Sequence, residues 1–222
     1  MHITCEVAAL FSPRATTIAR GVIIGGLTLL VFIPAVAMGW VRTPWARGEH
    51  HAVAQPVAFD HRVHVTGLRI DCRYCHADAE RTASAGLPST NKCVACHSRT
   101  WMSAAPMAPV RQSLETGRPI AWARVTQLPD FVYFDHAIHV GRGVGCETCH
   151  GRVDRMATAE QVVPLTMGWC LDCHRNPGPR LRPVTEITTM GYRRPTADTS
   201  GARLVAQGDH IRRLTDCTTC HR

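Results

Sequence analysis

The sequence predicts a mainly helical domain of short helices and loops with little regular sheet, behind a single N-terminal transmembrane helix. Three observations predict it. The 222 residues hold eleven cysteines and thirteen histidines but only 6% aromatics, a composition that suits a ligand-held framework better than an ordinary aliphatic core. Ten of the cysteines fall in one repeated five-residue pattern. Residues 21–40 form a run of 20 without a charge.

The apolar run is long enough to cross a bilayer as a helix. It exceeds the ~7–15 residues of a signal-peptide core, although Ala35-Val36-Ala37 resembles a cleavage site. Trp40 and Trp45 suit the interfacial end, and Pro34 is tolerable in a membrane span. Arginines flank both ends (Arg14, Arg20, Arg42, Arg47), so charge alone sets no strong orientation. The expected divisions are a cytoplasmic N-terminus at 1–20, the span at 21–41, a linker at 42–56 and an extracytoplasmic domain at 57–222.

The repeated pattern is Cys-x-x-Cys-His: Cys72–Cys75–His76, Cys93–Cys96–His97, Cys146–Cys149–His150, Cys170–Cys173–His174 and Cys217–Cys220–His221. We number these motifs 1 to 5. The spacing is that of c-type haem attachment, in which two thiols form thioethers and the histidine binds the iron as proximal ligand. Zinc sites and disulfides do not require a histidine after every second cysteine. The expectation is five covalent haems. Their attachment outside the membrane places residues from about 45 onward on that side. Cys5 stands outside the pattern and is read as an unreactive cysteine before the membrane.

The chain carries 24 arginines, one lysine (Lys92) and a formal charge of +8. The arginines are scattered rather than blocked, which argues against nucleic acid. With ten propionates the charge falls to about +3 oxidised and about −2 reduced, and the planar guanidinium suits those carboxylates. With 19% charged residues, a disordered polyelectrolyte is excluded.

First cysteines are separated by 21, 53, 24 and 47 residues, two pairs and a single. Val57-Ala58-Phe59-Asp60-His61-Arg62-Val63-His64-Val65 precedes the first pair and Val132-Tyr133-Phe134-Asp135-His136-Ala137-Ile138-His139-Val140 the second. A two-haem module is therefore repeated, as 57–131 and 132–205, with a truncated third copy at 206–222. Histidines at i and i+3 share a helix face, so His61 and His64, and His136 and His139, are the expected distal iron ligands. Asp60 and Asp135 are expected to cap those turns. The fifth distal ligand is open between His210, in the register of the repeat, and Met167, with Met190 a further option. His50 and His51 are read as solvated linker residues. The Pro/Gly/Arg-rich stretches 105–119 and 176–203 are read as partner-binding excursions or surface loops rather than core.

Phe-Asp-His-x-x-His before Cys-x-x-Cys-His resembles the small multihaem cytochromes of the c3 and c7 type. The stretches 128–134 (LPDFVYF), 143–151 (GVGCETCHG) and 164–175 (PLTMGWCLDCHR) resemble more specifically the pentahaem cytochrome c subunit of alternative complex III, a membrane quinol:electron-acceptor oxidoreductase. That resemblance, over most of the chain, implies an electron wire and no catalytic residue. It also implies iron–sulfur and polytopic quinol-oxidising partner subunits, with a monohaem cytochrome c or an oxidase as acceptor. A reductase of nitrogen or sulfur oxides needs an open iron, and no Cys-x-x-Cys-Lys motif occurs. An anchored multihaem quinol dehydrogenase feeding a periplasmic reductase is the alternative, and there the first motif sits closer to the membrane helix than Cys72 does.

Overall fold

The computed structural model describes residues 12–196, 199, 201, 203, 205 and 214–221. Contacts divide the chain into two units, Met1–Arg47 and Gly48–Arg222.

The first unit is built on α1, Pro13–Trp40. Ser12 caps it by accepting from the Ala15 amide, and Pro13 occupies the first turn, where its missing N–H costs nothing. The helix thus starts eight residues before the uncharged run. Its 28 residues give a length of about 42 Å, more than the ~30 Å hydrocarbon core of a bilayer. Its most apolar window has a mean hydropathy of 2.3, and none of its side chains is buried. Thr28 turns its hydroxyl onto the Ile24 carbonyl at 2.8 Å, which satisfies it without water. Arg42 donates to the Met38 carbonyl at the C-terminal end, beside the Trp40–Trp45 ring pair at 5.1 Å. By length and composition this helix can cross a membrane.

The second unit contains short helices and loops, with isolated β-bridges and no named strand among the described residues. In order they are a π-helical turn Arg62–Gly67, α2 Cys72–Cys75, α3 Thr90–His97, α4 Ala108–Thr116, α5 His136–Gly141, α6 Cys146–His150, α7 Met167–Arg175 and α8 Cys217–Cys220, with 3-10 turns between. Helices this short are not stable alone. Capping residues start several of them: Asp71 for α2, Asp135 for α5 and Thr166 for α7 each accept a backbone amide of the first turn. Asp60 likewise accepts from Arg62 N at 2.8 Å, and its turn runs wider, as a π-helix.

The stretch 105–119 is corrected by the structure. It forms a 3-10 turn and α4, and supplies Met107 and Val110, buried with Val57 in an apolar cluster that Cys93, Val94, Ile120 and Trp122 flank. Gly117 ends α4 in the left-handed conformation at φ 66°. The stretch 176–203 is corrected as well. Leu181, Arg182 and Ile187 are among the most buried residues in the unit. Residues 181–191 form a strap: Arg182 N bonds Gly143 O, Cys146 N bonds Ile187 O, and Thr188 Oγ1 bonds Asp71 at 2.9 Å. Polar composition hid it, because its polar groups are satisfied internally. Residues 49–53 are likewise tied in, through bridges Glu49–Gln161 and Ala52–Glu160.

Ile187 is 1% exposed and sits where the strap meets the Cys146 amide. Ile187→Ala is expected to cost about 2–5 kcal/mol of unfolding free energy. The half-exposed control Leu114→Ala should cost under ~1 kcal/mol. Denaturant unfolding of the purified protein measures both, and equal losses would show that the strap is not core.

Candidate functional site

Each Cys-x-x-Cys-His motif lies on a helical turn, motifs 1 to 5 on α2, α3, α6, α7 and α8. On one turn the two cysteines and the histidine, at i, i+3 and i+4, share a face. None of the ten motif cysteines is joined in a disulfide, which leaves every one available for a thioether bond.

The expected distal histidines lie opposite motif histidines. His136 and His150 have ring centroids 6.3 Å apart with planes 3° from parallel. His139 and His174 stand at 6.1 Å and His64 and His97 at 6.2 Å, with tilted planes. A ring whose nitrogen is ~2 Å from a metal has its centroid ~3 Å away, so two trans ligands of one ion stand about 6 Å apart. Burial foremost, and then the nearby His76, disfavours charge on His61. The sequence did not say which histidine serves which motif. The first of each His-x-x-His goes to the first motif of its pair and the second to the second, and the near-equal separations in the two modules were the available signal.

Second contacts fix the rings. Nδ1 of His64, His76, His97, His136, His139 and His221 is bonded to the carbonyls of Asp60, Gly86, Thr100, Ala83, Asp135 and Phe131, at 2.7–3.3 Å. A carbonyl only accepts, so Nδ1 carries the proton and Nε2 keeps the lone pair a metal needs. Burial, with His76 and His64 nearby, holds His61 neutral down to about pH 4. Burial, with His136 nearby, does the same for His150, also to about 4. His61 Nδ1 and Trp122 Nε1 are buried without a hydrogen-bond partner. Phe59 stacks on His64 at 4.3 Å and meets His61 edge-on, and Phe134 repeats both contacts with His139 and His136. Paired imidazoles with thiols alongside suit a covalently attached haem. Among the described residues no three-ligand cage of His, Cys, Asp or Glu occurs.

The fifth position is less complete. Next to His221 lies the Phe131 ring, at 5.7 Å. His210 lies outside the described residues. Met167 opens α7, 68% exposed, one turn before Cys170 on the same face. Met190 is half-buried, and His50 and His51 are exposed.

Neighbouring thiols order the motifs. Cys72 and Cys146 lie side by side, which joins motif 1 to motif 3. Burial raises Cys149 to about 11, and Cys173 and Cys170 add to it, so motif 3 adjoins motif 4. Burial and then Cys220 raise Cys170; burial and then Cys93 raise Cys75. The spatial order is 2, 1, 3, 4, 5.

Several arginines already hold carboxylates of the chain: Arg62 with Asp60, Arg73 with Asp71 and Glu80, Arg152 with Asp154, Arg180 with Asp172, and Arg182 with Glu147. For these the propionate role read from the sequence is not their first engagement.

Residues 132–222 match the family described as cytochrome c7 and related cytochrome c. Over that part the chain is similar to the multihaem cytochromes c, a class that carries electrons on covalent haem. More particularly, the chain is similar to the menaquinone reductase, multiheme cytochrome c subunit, of Nitratidesulfovibrio vulgaris (strain Hildenborough), 36% identical over 121 residues. That alignment covers 53% of this chain and 55% of the relative, so the chain spans about half the length of the curated relative it matches.

Asp71 caps α2, pairs with Arg73 and accepts from Thr188; Arg73 foremost holds its pKa down to about 2. Asp71→Ala is expected to cost about 1 kcal/mol at neutral pH, since the cap is worth ~0.5–2 and the exposed ion pair is screened. The folded pKa lies below the unfolded ~3.9, so the charge-dependent part is present above about pH 4 and lost as pH falls toward about 2. Denaturant unfolding of both proteins across that range should show their difference shrinking. A constant difference assigns the effect to the cap's geometry alone.

Proposed function

We propose that this chain is a membrane-anchored pentahaem cytochrome c, the electron-transfer subunit of a quinol:acceptor oxidoreductase of the alternative complex III type. The observation that carries it is the set of three imidazole pairs at 6.1–6.3 Å, each joining a motif histidine to a histidine of the repeated turn. Bound haem iron supplies reversible one-electron chemistry with no bond made to substrate. The chain's part is to hold it. The ten motif cysteines would attach the haems, and His76, His97, His150, His174 and His221 would each supply an imidazole to an iron. His61, His64, His136 and His139 would supply the second imidazole, with His210 or Met167 for motif 5. No catalytic residue is assigned.

In this reading α1 stays in the membrane and the haem domain lies on the periplasmic side of a bacterial inner membrane. Iron–sulfur and polytopic quinol-oxidising subunits deliver electrons, and a monohaem cytochrome c or an oxidase receives them. The relative favours a second reading, in which a chain of this kind supplies electrons to a quinone-reducing complex. The anchored quinol dehydrogenase feeding a periplasmic reductase keeps the anchor but needs no such partner subunits.

Intact mass of the purified chain should show five haem adducts, and fewer would sink the pentahaem reading. Gentle detergent extraction and mass spectrometry should find iron–sulfur and polytopic subunits in fixed ratio with it. Migration alone, or with a soluble reductase only, removes the complex. Adding menaquinol or menaquinone to the complex then separates the two directions: the first should reduce the haems, whereas oxidation of reduced haems by the second supports quinone reduction. His64→Met should raise one haem's midpoint and leave the count at five, because Met/His ligation titrates above His/His.

A further inference from the structure

The ion pair Arg182–Glu147 differs from the other pairs of this unit in burial and in place. Their side chains are 8% and 15% exposed, against 54% for Arg62 and 45% for Arg73 in pairs of similar length. Arg182 donates to Glu147 Oε1 at 2.9 Å and to the Thr189 carbonyl at 3.0 Å, and its guanidinium lies 4.7 Å over the Tyr192 ring. Glu147 Oε2 accepts from Gly191 N at 2.5 Å. Both carboxylate oxygens are therefore engaged by the strap.

Glu147 lies inside motif 3, directly after Cys146. The corresponding residues of the other motifs are Arg73, Val94, Leu171 and Thr218, so motif 3 is the one with a carboxylate there. Arg182 packs against Gly145, the residue before Cys146, where a Cβ would overlap its guanidinium. One charge thus lies on the attachment turn and the other is packed against it from the strap, at the junction where Cys146 meets Cys72.

An electron arriving at an iron lowers the local charge by one. A nearby cation favours that step and a nearby anion opposes it, more strongly out of water. A close pair of opposite charges largely cancels both effects. We infer that the Arg182–Glu147 pair is a positioning device in which each partner masks the other's charge from the haem attached at Cys146 and Cys149, so that neither charge alone shifts that haem's reduction potential. The inference rests on the haem reading of motif 3.

The test is a spectropotentiometric titration of the full-length protein in detergent, at mildly alkaline pH, with adducts counted by intact mass. Glu147→Gln leaves the cation unmasked and should raise one of five midpoints. Arg182→Gln leaves the carboxylate unmasked and should lower one. Each shift is expected to be up to about tenfold in the Fe(II)/Fe(III) ratio, ~59 mV for one electron. The double variant Glu147→Gln/Arg182→Gln should return close to the parent. A purely structural pair gives a different result, with both single variants moving the midpoint in the same direction and the double variant displaced at least as far. That result, or no shift in either single variant with five adducts present, overturns the inference alone. An unmodified motif 3 in the parent overturns the haem reading under it. If Arg182→Gln fails to load haem, Glu147→Gln and the double variant still decide, by a rise in the first and a return in the second.

Discussion

In the proposed reading, holding two imidazoles on opposite sides of one metal position is the constraint on which the second unit depends. The rings must stand about 6 Å apart with Nε2 inward, and helices of four to nine residues cannot enforce that alone. Long-range backbone contacts do it instead. His136 is held by the Ala83 carbonyl, 53 residues away, and His221 by Phe131, 90 residues away. Among the described residues only Val57, Met107, Val110, Val140, Leu181 and Ile187 are buried hydrophobics. So small an aliphatic core leaves hydrogen bonds and prosthetic attachment to define the fold, as in other domains poor in apolar bulk.

The same constraint explains the glycines and the strap. Gly143 sits at φ +84° with its Cα against the Arg182 carbonyl, where any side chain would overlap the backbone. That close approach lets Arg182 N bond Gly143 O, lets Ile187 O receive the Cys146 amide, and brings Thr188 to Asp71. One segment therefore fixes the attachment turns of motifs 1 and 3 together. A polar stretch thereby buries Leu181, Arg182 and Ile187, because the Arg182 charge finds a partner in Glu147 as it leaves water.

Local chemistry was legible in the sequence. Attachment spacing is a property of five residues, the apolar run of twenty, and the duplication shows wherever Phe-Asp-His-x-x-His recurs. Asp135 and Asp60 each accept an amide of the turn they precede, at i+3 and i+2, and the Asp60 turn alone of the two widens, a difference that His-Arg against His-Ala after the aspartate does not announce. What the sequence hid is all long-range. Val110 is buried because α4 folds back on α3, and Ile187 because the strap crosses motif 3. Neither has a periodicity that separates it from loop. The arginine count pointed to external carboxylates, yet Arg182 and Arg152 meet carboxylates of the chain, a choice that depends on where the backbone brings Glu147 and Asp154.

The order 2, 1, 3, 4, 5 is then a consequence of duplication rather than of chain order. In each module one turn carries two histidines three residues apart, so the two motifs they face are neighbours by construction. The modules join through their first motifs, because the loop after motif 1 supplies the carbonyls of Thr82 and Ala83 to the amides at Ala137 and His136. Motif 2 is left at one end. The truncated copy adds motif 5 at the other, where Cys220 and His221 pair with the backbone of Val132 and Tyr133. A module that presents one motif outward and one inward can be extended at either end without disturbing its own pair, and that is why half a repeat is enough to lengthen the row.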